Sequence, residues 1–89
     1  MDTAVIYTSR ARRQLKKLDA TIAKRLTWEI FKKTSARNPL TTAQPLQGNL
    51  SDRYRYRIGD YRVIFTINKQ GEITILTILN IDHRKDIYR

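Results

Sequence analysis

The sequence predicts an α+β fold: an N-terminal strand, an α-helical hairpin, then an antiparallel β-meander. Three observations lead there. Residues Asp52 to Thr66 alternate strictly between cationic and apolar or aromatic side chains across a Gly-Asp pair, the period-2 signature of half-buried strands joined by a tight turn. Two successive segments ahead of them, Ser9 to Leu18 and Asp19 to about Thr34, repeat apolar residues at helical spacing. A last run, Glu72 to Asn80, is again β-prone and follows residues of turn composition.

In chain order, Ala4 to Tyr7 is a short β-prone run closed by Thr8 and Ser9, either of which could cap a helix through its hydroxyl. Ala11, Leu15 and Leu18 then fall at i, i+4 and i+7, with Arg10, Arg12, Arg13, Lys16 and Lys17 around the rest of the wheel. That charge reads first as a solvated helix surface and second as guidance toward a nucleic acid backbone. Asp19 suits the N-cap of a second helix whose apolar stripe is Ile22, Ala23, Leu26, Thr27, Ile30 and Phe31. Trp28 falls off that stripe and is expected to be partly exposed, packed against the first helix or serving as an interface anchor. Ser35 to Gln47, with Pro39, Pro45 and small polar residues, reads as a loop.

The hairpin is the most informative stretch. Arg53, Arg55 and Arg57 occupy one face of its first strand, and Tyr54, Tyr56 and Ile58 the other. A two-residue type II′ loop at Gly59-Asp60, with Gly supplying positive φ, sets Arg57 across from Arg62 and leaves Arg55 one pleat away on the same face. Tyr61, Val63 and Phe65 then point to the opposite, core side. Like charges directly opposite cost stability, so a clustered Arg55, Arg57 and Arg62 suggests an anion site, phosphate first among candidates; solvated surface arginines are the plainer alternative. Asn68 to Gly71 is expected to turn the chain into Glu72 to Asn80, apolar on both faces in its second half and therefore central, with the N-terminal strand beside it. Two helices would cover the Tyr56 and Phe65 face and leave the arginine face open.

Composition narrows the rest. A chain of 89 residues with 40% hydrophobic content and no cysteine suits one domain over residues 1–89 and excludes a disulfide framework or thiolate metal site. The single histidine, His83, has no ligand-like spacing to other candidates, so neither a metal nor another cofactor is expected. With no apolar leader or membrane-length run, a cytoplasmic protein without a membrane partner is expected. A formal net charge of +10, spread from Arg10 to Arg89, implies a polyanionic partner: nucleic acid or a strongly acidic protein segment.

Three segments together, Leu46-Gln47-Gly48-Asn49-Leu50, the hairpin core Tyr54 to Phe65, and Asp82-His83-Arg84-Lys85-Asp86-Ile87-Tyr88-Arg89, resemble the RelE/ParE superfamily of type II toxins in order and spacing. The resemblance spans nearly the whole chain. It implies a RelE-like microbial RNase-type fold, a heteromeric complex with an acidic cognate antitoxin, and one of two activities. RelE-like members cut messenger RNA in the ribosomal A site, in contact with ribosomal RNA of the 70S particle, whereas ParE-like members inhibit DNA gyrase. An inactive, basic nucleic-acid-binding member is a further alternative.

On the RelE-like reading, the resemblance makes Arg53, Arg55, Arg57 and Lys85 phosphate-binding residues. It places Arg62, Tyr88, His83 and Arg84 in the catalytic set, with no metal. Tyr88 would activate the ribose 2′-hydroxyl for attack on the adjacent phosphate; an unperturbed phenol titrates near pH ~10, and nearby guanidiniums favour its ionised form. The chain departs from the archetype at one position: Asp82 stands where an arginine acts near the leaving group, so His83 or Arg84 would take that role. Without the resemblance, Tyr88 reads as a packed aromatic ending the sheet and His83 as a surface histidine.

Overall fold

The computed structural model describes residues 3–48, 52–70 and 72–83. The chain forms β1 (Ala4–Tyr7), α1 (Ser9–Lys16), α2 (Ala20–Thr34), β2 (Gln44–Pro45), β3 (Arg53–Ile58), β4 (Tyr61–Gln70) and β5 (Glu72–His83). The five strands make one sheet in the order β1-β5-β4-β3-β2, and α1 and α2 cover one of its faces. β1 runs parallel to β5 and every other pair is antiparallel, so the expected meander and the placement of β1 beside β5 both hold. No helix is long and apolar enough to cross a membrane, among the described residues.

Local chemistry sets each boundary. The Thr8 side chain accepts a hydrogen bond from the Ala11 amide at 3.1 Å, and the Asp19 carboxylate accepts one from Thr21, so both helices start at side-chain caps. The β3–β4 register has Arg57 opposite Arg62 and Tyr56 opposite Val63, as the two-residue loop requires. Gly59 has φ of +58° and Asp60 is not in the positive region, the combination of a type II′ turn.

Two parts of the sequence reading change. Asn68 to Gln70 belong to β4 rather than to a turn, because the ladder with β5 continues to Gln70 opposite Glu72, across a register shift between Asn68 and Lys69. Within the expected loop, Gln44 and Pro45 form the short edge strand β2, paired with Arg55 and Tyr54. Proline is tolerated there because an edge strand can leave one side of its backbone unpaired.

The core joins Tyr56, Ile58, Val63 and Phe65 of the hairpin to Leu76, Ile78 and Ile81 of β5 and to Ala11, Leu26 and Ile30 of the helices. Each large apolar side chain removed from water contributes about 1.5–3 kcal/mol, and the Tyr56 and Phe65 rings meet with centroids 4.5 Å apart. Tyr56 also donates its hydroxyl to the Pro39 carbonyl at 2.8 Å, tying the segment after α2 to the sheet. The buried line of α2 is narrower than the periodicity implies: Leu26, Ile30 and Thr34 are buried, while Ile22 and Phe31 are exposed. Trp28, expected to be partly exposed, is 57% exposed and stacks on Phe31 rather than packing under the first helix. A single helical layer explains both, since nothing among the described residues lies over the outer side of α2.

A second register shift governs the end of β5. Ile64 pairs with Asn80 but Phe65 pairs with Ile78, so Leu79 is an extra residue, a β-bulge. Core residues therefore run Leu76, Ile78, Ile81 instead of keeping period 2. Past the end of β1, side chains from the α1 region serve the open edge of β5. The Thr8 hydroxyl donates to the Leu79 carbonyl at 3.2 Å, and Gln14 Oε1 accepts from the Ile81 amide at 2.6 Å.

Thr8→Ala removes a helix cap and the bulge's hydrogen-bond donor together, and should lower stability by about 2 kcal/mol in urea unfolding. A loss no greater than that of a surface substitution would refute the coupling. Burial raises the pKa of Tyr56 and Tyr7 above the ordinary 10.0. Folding therefore favours the protonated phenols; their contribution is complete below the unfolded value of 10.0 and declines as pH rises beyond it. The thermal midpoint should fall above about pH 10, and less steeply in Tyr56→Phe.

Candidate functional site

The face of the sheet away from the helices carries two rows of directly opposed residues. One runs Gln44–Arg55–Ile64–Asn80 across β2, β3, β4 and β5, and the next runs Arg57–Arg62–Asp82 across β3, β4 and β5. An open concavity of about 510 Å³ lies over them, with Arg10, Arg53, Arg55, Arg62 and Asp82 on its walls and Leu46, Ile64 and Leu79 among its apolar lining. The bulge at Leu79 decides which side chains of β5 take part. Unbroken alternation from Leu76 and Ile78 would send Asn80 and Asp82 to the core and His83 to the arginine face; the extra residue reverses that.

Polar side chains hold the groove at both ends. At the β2 edge, Arg55 donates from Nε and Nη2 to Gln44 Oε1 at 2.9 and 2.6 Å. At the β5 edge, Asn80 Oδ1 accepts from Gln14 Nε2 at 2.6 Å and from Arg10 Nε at 3.1 Å, while the Asn80 amide donates to Asp82 Oδ2. Arg10, a helix residue, thus reaches the same concavity as the sheet arginines. Four guanidiniums around an open hollow suit the binding of phosphate groups, with geometry that lysines would not reproduce.

A family model described as "ParE toxin of type II toxin-antitoxin system, parDE" matches residues 5–88. The chain belongs to the RelE/ParE superfamily of type II toxins. It is 38% identical to Toxin RelG of Mycobacterium tuberculosis over 89 residues, covering all of this chain and 99% of the relative. Its fold matches a chain of the toxin–antitoxin complex RelBE2 of M. tuberculosis with a TM-score of 0.81 at 34% identity, over 94% of this chain and all of the other. A chain of the RelE–RelB complex of Pyrococcus horikoshii OT3 matches at a TM-score of 0.70 and 26% identity, over 94% and 97% of the two chains. The expected α+β architecture, two helices on one sheet, is shared with these toxins.

The toxin's structure brings together some of the residues singled out in the sequence and separates others. Arg53, Arg55 and Arg62 line one concavity. Arg57 stands opposite Arg62 but is exposed at the end of its row, outside the hollow. His83 is not with them: it pairs with Tyr61 on the helix side of the sheet, its ring edge-on to the Tyr61 ring with centroids 4.9 Å apart, in a recess shared with Ile22 and Arg25. The physical reason is the Leu79 bulge, which places Asp82 in the groove and turns His83 away from it. Arg84, Lys85 and Tyr88 lie outside the described residues, as do Asn49 and Leu50 of the first quoted motif.

Sequence reasoning missed Arg10, Gln14, Gln44 and Asn80. One signal was present: Arg10 and Gln14 are four apart on a helix and Asn80 and Asp82 two apart on a strand, so each pair shares a face. Which face meets which was not in the sequence.

For binding to a single-stranded polynucleotide, Arg53→Ala and Arg62→Ala should each make the slope of log K against log salt shallower by about 0.7, one phosphate contact apiece. Arg57→Ala should change it less. Equal effects of all three would mean that the cations act only through net charge.

Proposed function

We propose that this toxin is an endoribonuclease that cuts messenger RNA on the ribosome, without a metal ion. The observation that carries this reading is the convergence of Arg53, Arg55 and Arg62 on one concavity of the uncovered sheet face. Arginines fixed around a phosphate stabilise the extra negative charge that develops when the adjacent 2′-hydroxyl attacks phosphorus. In this mechanism Tyr88 as phenolate accepts the 2′-hydroxyl proton, the P–O5′ bond breaks as the departing O5′ takes a proton from solvent water, and the products are a cyclic 2′,3′-phosphate and a 5′-hydroxyl. With His83 on the other side of the sheet, Arg84 is the remaining candidate near the leaving oxygen, acting as a cation that offsets its charge.

The partner in the resting state is an acidic antitoxin that neutralises the surface of a chain with net charge +10. Similarity to chains of RelBE2 and RelE–RelB complexes supports a heteromeric assembly, and ribosomal RNA is the polyanion met on release. A gyrase-directed toxin is the second reading, favoured by the matching ParE family model.

Primer extension on translating ribosomes separates the two. The wild-type toxin should leave cuts in the message, and Tyr88→Phe and Arg62→Ala should reduce them by on the order of a hundredfold or more. Intact message at toxic doses, together with stoichiometric inhibition of gyrase supercoiling, would replace the first reading by the second.

A further inference from the structure

Asp82 is the one acidic side chain among the described residues that line the arginine groove. Its backbone stands directly opposite Arg62, and its carboxylate accepts a hydrogen bond from the Asn80 amide. Asn80 is itself fixed from α1 by Gln14 and Arg10, so the carboxylate's position is inherited from the helix. Arg10 flanks this pair on one side and Arg55 on the other, two strand spacings across from Asn80, roughly 10 Å.

A carboxylate in the middle of a cationic track cannot face a phosphate, because like charges at short range in a partly dehydrated groove repel. It can face a hydroxyl, from which it accepts a charge-assisted hydrogen bond. Along a nucleic acid backbone the group that alternates with phosphate is the sugar, and the sugar of RNA carries a 2′-hydroxyl that DNA lacks. A strand crossing the sheet from the Gln44 edge toward α1 would set phosphates on Arg53, Arg55 and Arg62 at one end and on Arg10 at the other, with a ribose over Asp82.

We propose that Asp82, held by Asn80 and Gln14, reads a ribose 2′-hydroxyl of the substrate strand, and that Arg10 binds the next phosphate beyond it. This rests on the RNA-directed reading above and gives the groove two further specificity and binding residues. It also assigns a use to the position where the chain carries an acid in place of the archetype's arginine.

The test is binding of the full-length toxin to a short single-stranded RNA in which each 2′-hydroxyl is replaced in turn by hydrogen. Wild-type toxin should lose about tenfold in affinity at one position. In Asp82→Ala that penalty should vanish, and Asp82→Asn, which retains an acceptor, should keep part of it. Arg10→Ala should weaken RNA and DNA alike and make the salt slope shallower by about 0.7. A carboxylate that only braces Asn80 would leave the deoxy penalty unchanged in Asp82→Ala, which overturns the proposal. If binding depends on Arg62 but shows no coupling to Asp82, this inference fails alone; if binding is indifferent to Arg62, the RNA-directed reading fails with it.

Discussion

Leu79, the extra residue in β5, is the constraint on which the geometry of the groove depends. Past the last β1 pair at Ile78 this part of β5 is an open edge, and backbone groups there cost free energy unless something else satisfies them. Here the partners come from α1 and its cap. Thr8 uses one hydroxyl twice, accepting from Ala11 to start the helix and donating to the Leu79 carbonyl, and Gln14 takes the Ile81 amide. Helix docking and the bulge therefore share the same hydrogen bonds, and α1 is more than a cover for the core.

The same contacts organise the polar face. Gln14 satisfies β5 through its carbonyl and Asn80 through its amide, so one side chain serves both backbone and groove. At the far edge, β2 presents Gln44 to Arg55. Between these supports the sheet keeps Arg57 opposite Arg62, an arrangement that costs stability in isolation. A chain with one helical layer can tolerate it because the arginine face remains open to water, and an anionic ligand then finds several guanidiniums already in place.

Two chemically distinct surfaces result at the end of β5. Asp82 belongs with the arginines; His83, its neighbour, belongs with Tyr61, Arg25 and the hairpin turn. The sheet itself therefore lies between the His83 ring and the arginine groove. On α2 the stacked Trp28 and Phe31 stay uncovered, leaving an aromatic patch on a different side of the domain from the groove.

The hairpin was legible in the sequence because its information is local: a Gly-Asp turn with positive φ at Gly59, strict alternation on either side, and a two-residue loop that leaves one register open. That was enough for Arg57 opposite Arg62, for the Tyr56 and Phe65 core face and, with Thr8 or Ser9 and then Asp19 as caps, for the helix starts, of which the structure selects Thr8 for the first. The fates of Arg10, Asn80, Asp82 and His83 were not legible. They turn on a bulge whose backbone is satisfied by side chains some seventy residues earlier, such as Thr8 for Leu79 at a separation of 71. Period-2 patterning fixes which residues share a face within an unbroken strand; only tertiary hydrogen bonding decides where that period slips, and here the slip selects which side chains of β5 meet the arginines.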